Sequence, residues 1–184
     1  MNLYRVLTSG EFGRLLYHGK LSVNTDMMPY MTPNKLLITN IFRQSVLESI
    51  GEPNNNLIKI PLDLWYIYAG KMTCPHMSQY RGLRISSSSG IYKVRFNIPK
   101  EKVFLIDNRK LHHFISKYKG NSTINREDIQ HDWKKVLNSP IPESRNISNP
   151  DVQVKGFVWE LQSDWIAKVD HYPQLHNTKF YHAK

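Results

Sequence analysis

A single cysteine, Cys74, is present in the chain of 184 residues, so no disulfide can form within it. Long apolar runs are also missing, since no stretch reaches the roughly 18 residues that a membrane-spanning helix needs. The first residues, MNLYRVLTSGEF, do not have the basic and then apolar order of a signal peptide. From these absences we expect a cytoplasmic protein that makes no contact with a membrane.

Two glycine motifs that hold phosphates are absent, GxxxxGK followed by Ser or Thr and GxGxxG. Their absence argues against a P-loop NTPase and against a Rossmann enzyme. Metal ligands at a recognisable spacing are missing as well, because there is no HExxH and the Cys74/His76 pair has no partner pair at zinc spacing. His112 and His113 are adjacent, so on a helix they diverge by about 100° and do not easily share one ion. We expect no metal cofactor.

Acidic residues are few in comparison with basic ones. The chain has 25 Lys and Arg against 15 Asp and Glu, which gives a formal net charge of +10. A charge of this sign attracts polyanions such as nucleic acid and compact anions such as nucleotides. Because no contiguous Lys/Arg tail is present, a charge that only aids solubility remains the alternative.

Helix signals are clear in the first third of the chain. Thr8 and Glu11 have the spacing of a capping box, and Gly19 provides a C-terminal stop. The Thr-Pro pair at 32–33 begins a longer helix that ends at Gly51. Three shorter helices are predicted over 109–118, 126–137 and 164–172.

Strand signals are concentrated in the middle and at both ends. Apolar residues alternate with basic ones over 91–98, which predicts a half-buried strand. Other strands are predicted over 3–7, 57–70 with a break at Pro61, 103–107, 152–161 and around 178–182. We predict an irregular loop over 71–83 and a linker over 139–150. The whole predicts an α+β fold, one compact domain over 1–184 with a central, mostly antiparallel sheet and flanking short helices.

Four segments of the second half carry a family resemblance. They are IPLDLWYIYAG at 60–70, FNIPKEKVFLIDNRKLHHFI at 96–115, IQHDWKKVLN at 129–138 and VQVKGFVWELQSDWIAKV at 152–169. In order and spacing they resemble an uncharacterised family of bacterial and phage proteins, catalogued as domain of unknown function 3841, over roughly residues 57–170. The resemblance implies a compact single domain and no function, because the family has none assigned.

The opening segment LYRVLTSGEFGRLLYHGKL, 3–21, resembles the start of ADP-ribosyltransferase-type domains. The resemblance implies an ADP-ribosyltransferase-like form of the α+β fold and NAD as cofactor. It also implies roles for single residues: Arg5 would hold the pyrophosphate, Ser86, Ser87 or Ser88 would line the nicotinamide pocket, and Glu160 would be the catalytic carboxylate. Chemically, a guanidinium pairs with pyrophosphate, and a carboxylate stabilises the positive charge that develops as nicotinamide leaves.

Each of these residues also has a structural explanation. Glu160 shares alternation parity with Val154 and Val158, so it is either a functional acid, half of an ion pair or a residue at a strand end near solvent. Arg5 could equally serve a structural or surface role. The serines 86–89 could be plain loop.

Basic residues are clustered between positions 93 and 119. Those that we expect to bind nucleic acid are Lys93, Arg95, Lys102, Arg109 and Lys110. Tyr92, Tyr118 and Trp65 could add stacking surfaces, as in single-strand binding platforms. The alternative is a solvated sheet face.

Two functions of different classes follow. The first is an ADP-ribosyltransferase-like protein that binds NAD or a related nucleotide and modifies nucleic acid. The second is a non-catalytic basic protein that binds nucleic acid, a nucleotide signal or a host defence protein, as a phage-type inhibitor would. A third option is a structural subunit whose aromatic surface meets a protein partner.

Overall fold

A computed structural model describes residues 1–24, 32–55, 58–86, 89–119, 125–141 and 149–174. The strands of this part are β1 Asn2–Thr8, β2 Lys20–Asn24, β3 Ile58–Ile60, β4 Leu62–Ile67, β5 Ile91–Asn97, β6 Phe104–Asp107, β7 Val154–Val158, β8 Glu160–Gln162 and β9 Ile166–Tyr172. The helices are α1 Ser9–His18, α2 Pro33–Ile50, α3 Arg81–Ser86, α4 Asn108–Lys119 and α5 Arg126–Leu137. The predicted α+β class is confirmed.

Two sheets share two long, bent strands. The larger sheet has the order β6-β7-β4-β1-β5-β9 and the smaller one β3-β2-β8, with antiparallel pairing between all of these neighbours. One residue, Pro61, separates β3 from β4, and Trp159 separates β7 from β8. Proline has no N–H to donate to a ladder, which explains the predicted break at Pro61. Each bent strand therefore passes from one sheet to the other.

Helix ends follow the predicted signals. Thr8 and Glu11 form a complete capping box, and Gly19 closes α1 in the left-handed region with φ 72°. Thr32 caps α2 by accepting the backbone N–H of Lys35, and Gly51 ends it. These local signals predict the ends of α1 and α2 to within a residue or two.

The apolar core has two main parts. In the first part, α2, α4 and α5 pack against β6 and β7, and the ring of Phe42 lies edge-on to those of Phe104, Trp133 and Phe157. The indole N–H of Trp133 donates to Ser45 Oγ at 2.8 Å, so this buried donor is satisfied. The second part lies between the sheets and beneath α1.

A glycine permits the closest approach in that second part. A Cβ on Gly156 of β7 would lie 2.2 Å from Leu3 Cδ2 and 2.9 Å from Val103 Cγ1. Leu3 is fully buried, and Leu105 also lies beside the same position. Glycine at 156 therefore lets β1 and the segment before β6 pack against β7.

One predicted element is wrong, and a second is only partly right. Residues 164–172 do not form a helix: a 3₁₀ turn, Ser163–Trp165, leads into β9, which pairs along β5 at the sheet edge. Most residues of β9 are exposed, and charged residues are common on edge strands. The segment therefore lacks the regular apolar alternation by which a half-buried strand is predicted. The predicted loop 71–83 includes a 3₁₀ turn, Met77–Tyr80, and the start of α3.

Other predictions fall on residues outside the described part, namely the strand around 178–182 and most of the linker 139–150. Among the described residues, no helix is both long enough and apolar enough to cross a membrane.

Candidate functional site

A groove of about 1,100 Å³ lies between α4, α5 and the segment 149–153. Helix α4 buries Leu111, Phe114 and Tyr118 against the core. Helical periodicity then turns the intervening side chains outward. The exposed side chains of α4 that line the groove are Arg109, Lys110, His112, His113, Ser116 and Lys117. No Asp or Glu occurs in the sequence of α4, NRKLHHFISKYK, so this surface is basic along its length.

The first turn of α4 is held by the carboxylate of Asp107. Asp107 Oδ1 accepts the backbone N–H groups of Arg109 at 2.9 Å and Lys110 at 3.1 Å. A carboxylate at this position satisfies orphan donors and complements the helix dipole. Arg109 Nη1 also lies 3.2 Å from Asp151 Oδ1 across the groove. The position of Arg109 is therefore set from both walls.

Asp132 of α5 organises the opposite end of the groove. Its carboxylate accepts hydrogen bonds from Lys117 at 2.5 Å, the Tyr118 hydroxyl at 2.8 Å and Lys135 at 3.1 Å. These hydrogen bonds hold the pKa of Asp132 well below its usual range. Asp132 thus stays ionised and keeps two ammonium groups at the groove wall.

The groove has a small excess of positive charge. Its lining contains four Lys or Arg residues, three carboxylates and two histidines: Arg109, Lys110, Lys117, Lys135; Asp107, Asp132, Asp151; His112, His113. Within the part of the chain that the structure describes, no ion pair engages Lys110. Its ammonium group and the exposed imidazoles remain available to an anion in the groove.

Arg5 lies elsewhere, in a cluster on the larger sheet. Its Nη1 donates to the backbone carbonyl and to Oδ1 of Asp63, the latter at 2.9 Å, and its Nη2 lies 3.9 Å from Glu11 Oε1. Lys155 Nζ lies 2.5 Å from Asp63 Oδ2 and 4.8 Å from the ring centroid of Trp65. Burial would raise the pKa of Asp63, but the charges of Lys155 and Arg5 outweigh it and lower that pKa.

Lys93 and Arg95 lie on β5 beside this cluster. The β1–β5 register pairs Tyr4 with Arg95, and Lys93 Nζ lies 5.6 Å from the Tyr4 ring centroid. Arg95 is paired in turn with Lys168 of β9. Lys93 and Arg95 therefore share one face of β5, as predicted, and the aromatic ring of Tyr4 lies on that face. This face is separate from the α4 groove.

Glu160 is buried in β8 at 9 % exposure. Its Oε1 accepts hydrogen bonds from Asn54 Nδ2 at 3.1 Å and Gln162 Nε2 at 3.4 Å. It lines a cavity of about 40 Å³ whose other lining residues include Lys102. Neither Arg5 nor Ser86 lines that cavity.

Ser86 ends α3, and its hydroxyl donates to the backbone carbonyl of Leu83 at 3.2 Å. Ser87 and Ser88 lie outside the described residues. Among the described residues, no hydrogen bond or ion pair joins any two of Arg5, Ser86 and Glu160. Each one has its own set of partners.

The predicted nucleic-acid-binding residues are thus distributed over three places. Arg109 and Lys110 lie together in the α4 groove, Lys93 and Arg95 on β5, and Lys102 beside Glu160. Prediction from sequence did not assign the other groove residues, His112, His113, Lys117 and Lys135, to a binding surface. The sequence signal that could have indicated this surface was the absence of any Asp or Glu within α4. In the described ranges, no group of three or more His, Cys, Asp or Glu is arranged to hold a metal ion.

Comparisons with protein-family models, with curated protein sequences and with solved structures gave no match. The two resemblances given from the sequence therefore stay predictions.

Proposed function

We propose that this protein binds nucleic acid without catalysis and that the groove along α4 contacts the phosphate backbone. The observation that carries this proposal is the exposed side of α4, where cations and imidazoles line a groove of about 1,100 Å³ and the helix has no carboxylate of its own. Phosphate contacts by Lys and Arg supply most of the affinity of sequence-independent binding.

The groove lining is better suited to contact the nucleic-acid backbone than to recognise specific bases. Its cations are long, exposed side chains, of which Lys117 and Lys135 are held by Asp132. The paired Arg109 can exchange Asp151 for a phosphate at little cost because both are more than half exposed. The net charge of +10 adds long-range attraction for a polyanion. We therefore expect binding that depends strongly on salt and weakly on sequence.

Enzymatic activity on NAD is the rival function and stays a prediction. It rests on the resemblance of residues 3–21 and on Arg5 and Glu160. Arg5 is engaged by Asp63 and Glu11, and the cavity at Glu160 is far smaller than the roughly 300–1,000 Å³ of ordinary ligand pockets. For these reasons the α4 groove supports the binding function better.

The test is fluorescence anisotropy with labelled single-stranded and duplex oligonucleotides at low salt. The variant R109Q/K110Q removes two charges from α4 and should bind about thirtyfold more weakly, at roughly 1 kcal/mol for each lost contact. The matched control R14Q/K35Q removes one Arg and one Lys from exposed positions of α1 and α2. Equal weakening by both variants would mean that only net charge matters, and no binding by the wild type would end the proposal.

A further inference from the structure

A second, smaller cavity lies where β7 bends into β8, and the proposed function does not use it. Its volume is about 40 Å³, which is room for about three water-sized groups. The lining is formed by Ile50, Glu52, Pro53, Asn54, Lys102, Val158, Trp159, Glu160, Gln162 and Trp165. A cavity of this size suits the head of a side chain rather than a nucleoside.

Glu160 presents an unpartnered carboxylate oxygen at this cavity. The residue is only 9 % exposed, and both of its amide donors, from Asn54 and Gln162, bond to Oε1. Oε2 accepts no hydrogen bond or ion pair from any residue that the structure describes. Oε2 is not among the buried side-chain atoms that lack a partner, so it is open to solvent and an incoming N–H donor can reach it.

The rest of the lining also favours a positively charged donor. Trp159 and Trp165 bring two indole rings, whose faces attract cations. One guanidinium already lies near such a ring, since Arg43 Cζ is 5.9 Å from the Trp159 centroid although Arg43 does not line the cavity. The side-chain amides of Asn54 and Gln162 each donate an N–H group to Glu160, which leaves their carbonyl oxygens as acceptors.

Two charged residues complete the surroundings. Lys102 lines the cavity and opposes a cation, while Glu52 lines it and offsets Lys102. Both side chains are exposed, so their charges are screened by solvent far more than that of Glu160. The buried Glu160 carboxylate therefore sets the sign of the site.

We propose that this cavity binds an organic cation with N–H donors, a guanidinium or primary ammonium group, held by Glu160 Oε2 and the indoles of Trp159 and Trp165. Two sources share this chemistry: an arginine side chain of a partner protein and a free polyamine. The proposal is independent of phosphate binding at α4.

The test is a titration of protein labelled with ¹⁵N at the tryptophan indoles, whose four N–H resonances are assigned from single Trp→Phe variants. The probes are N-acetyl-arginine amide and putrescine, with sodium chloride at matched ionic strength as the reference. We expect a saturable shift of the Trp159 and Trp165 resonances with one or both organic cations, while Trp65 and Trp133 stay in place. A response to the arginine probe alone identifies a peptide source, and one to putrescine alone a polyamine.

Two variants separate the site from general electrostatics. Glu160→Gln keeps the shape of the side chain but removes its charge, and should weaken binding of the organic cation by at least about tenfold. Glu101→Gln, an exposed acid next to Lys102, is the matched control and should leave the affinity unchanged. Trp165→Leu should also weaken binding, and it keeps the proposal testable if Glu160→Gln unfolds the chain. The proposal is overturned if sodium gives the same shifts, if no shift saturates with either cation, or if Glu160→Gln and Trp165→Leu both bind like the wild type.

Discussion

Arg5 and Asp63 are 58 residues apart in sequence and form an ion pair of 2.9 Å between Nη1 and Oδ1. The same carboxylate binds Lys155 through its other oxygen. Asp63 of β4 therefore connects a cation from β1 with one from β7, the two neighbours of β4 in the larger sheet. These contacts give Arg5 a structural role, which the sequence leaves as open as the pyrophosphate-binding role implied by the resemblance of residues 3–21.

Replacing Asp63 tests this structural role. Asp63→Asn leaves two largely buried cations, at 18 % and 21 % side-chain exposure, without their carboxylate. We predict a loss of about 1–2 kcal/mol in the free energy of unfolding, measured by urea denaturation. The control is Asp170→Asn, whose carboxylate pairs with the exposed Lys168 on β9 and should change stability by less than about 0.5 kcal/mol. Equal losses in the two variants would contradict the role of Asp63.

Acid should destabilise the fold through Asp132. The hydrogen bonds from Lys117, Tyr118 and Lys135 lower the pKa of the folded carboxyl, so it binds protons less readily than in the unfolded chain. Its contribution is complete above the ordinary value of 3.8 and is lost as the pH falls below that value. We predict that Asp132→Asn is less stable than the wild type near neutral pH and that the difference shrinks in acid. Thermal melts across this range check it, and a difference that is constant with pH would be inconsistent.

A single methyl group tests the packing of β7. Gly156→Ala places a Cβ 2.2 Å from Leu3 Cδ2, in a core where Leu3 cannot move without displacing its neighbours. We predict a loss of about 1–3 kcal/mol. Gly13→Ala is the control, because nothing lies within 4 Å of its added Cβ in α1 and helix propensity favours alanine. If urea denaturation shows both variants to be as stable as the wild type, the result contradicts the close packing of Leu3 against β7.

Local signals made much of the fold predictable. The caps at Thr8 and Thr32, the stop at Gly51 and the break at Pro61 each act within a few residues, so the sequence alone reveals them. β9 was not predictable in the same way, because its pairing with β5, between residues at least 70 positions apart, decides that it is a strand.

The candidate site was less predictable because it depends on long-range placement. Arg109 and Lys110 were predicted to bind nucleic acid, but the walls opposite them come from α5 and the segment 149–153. Lys102 is also positively charged and is close to them in the sequence, yet it lies beside Glu160. Nothing in the spacing of these lysines distinguishes the two positions.

The rival enzymatic function has its own test. If the protein only binds, purified wild type should release no nicotinamide from NAD, with or without nucleic acid as a target. Release that Glu160→Gln abolishes, with the variant's melting temperature unchanged, would establish Glu160 as a catalytic residue. Nicotinamide measured by liquid chromatography decides between the two.

The dependence of nucleic-acid affinity on salt tests phosphate binding at α4 most directly. Each phosphate contact to a single strand contributes about 0.7 to the slope of log affinity against log salt concentration. We predict that R109Q/K110Q lowers the magnitude of that slope by about 1.4, while R14Q/K35Q leaves it unchanged. A slope that is the same in wild type and R109Q/K110Q would contradict phosphate contacts at α4.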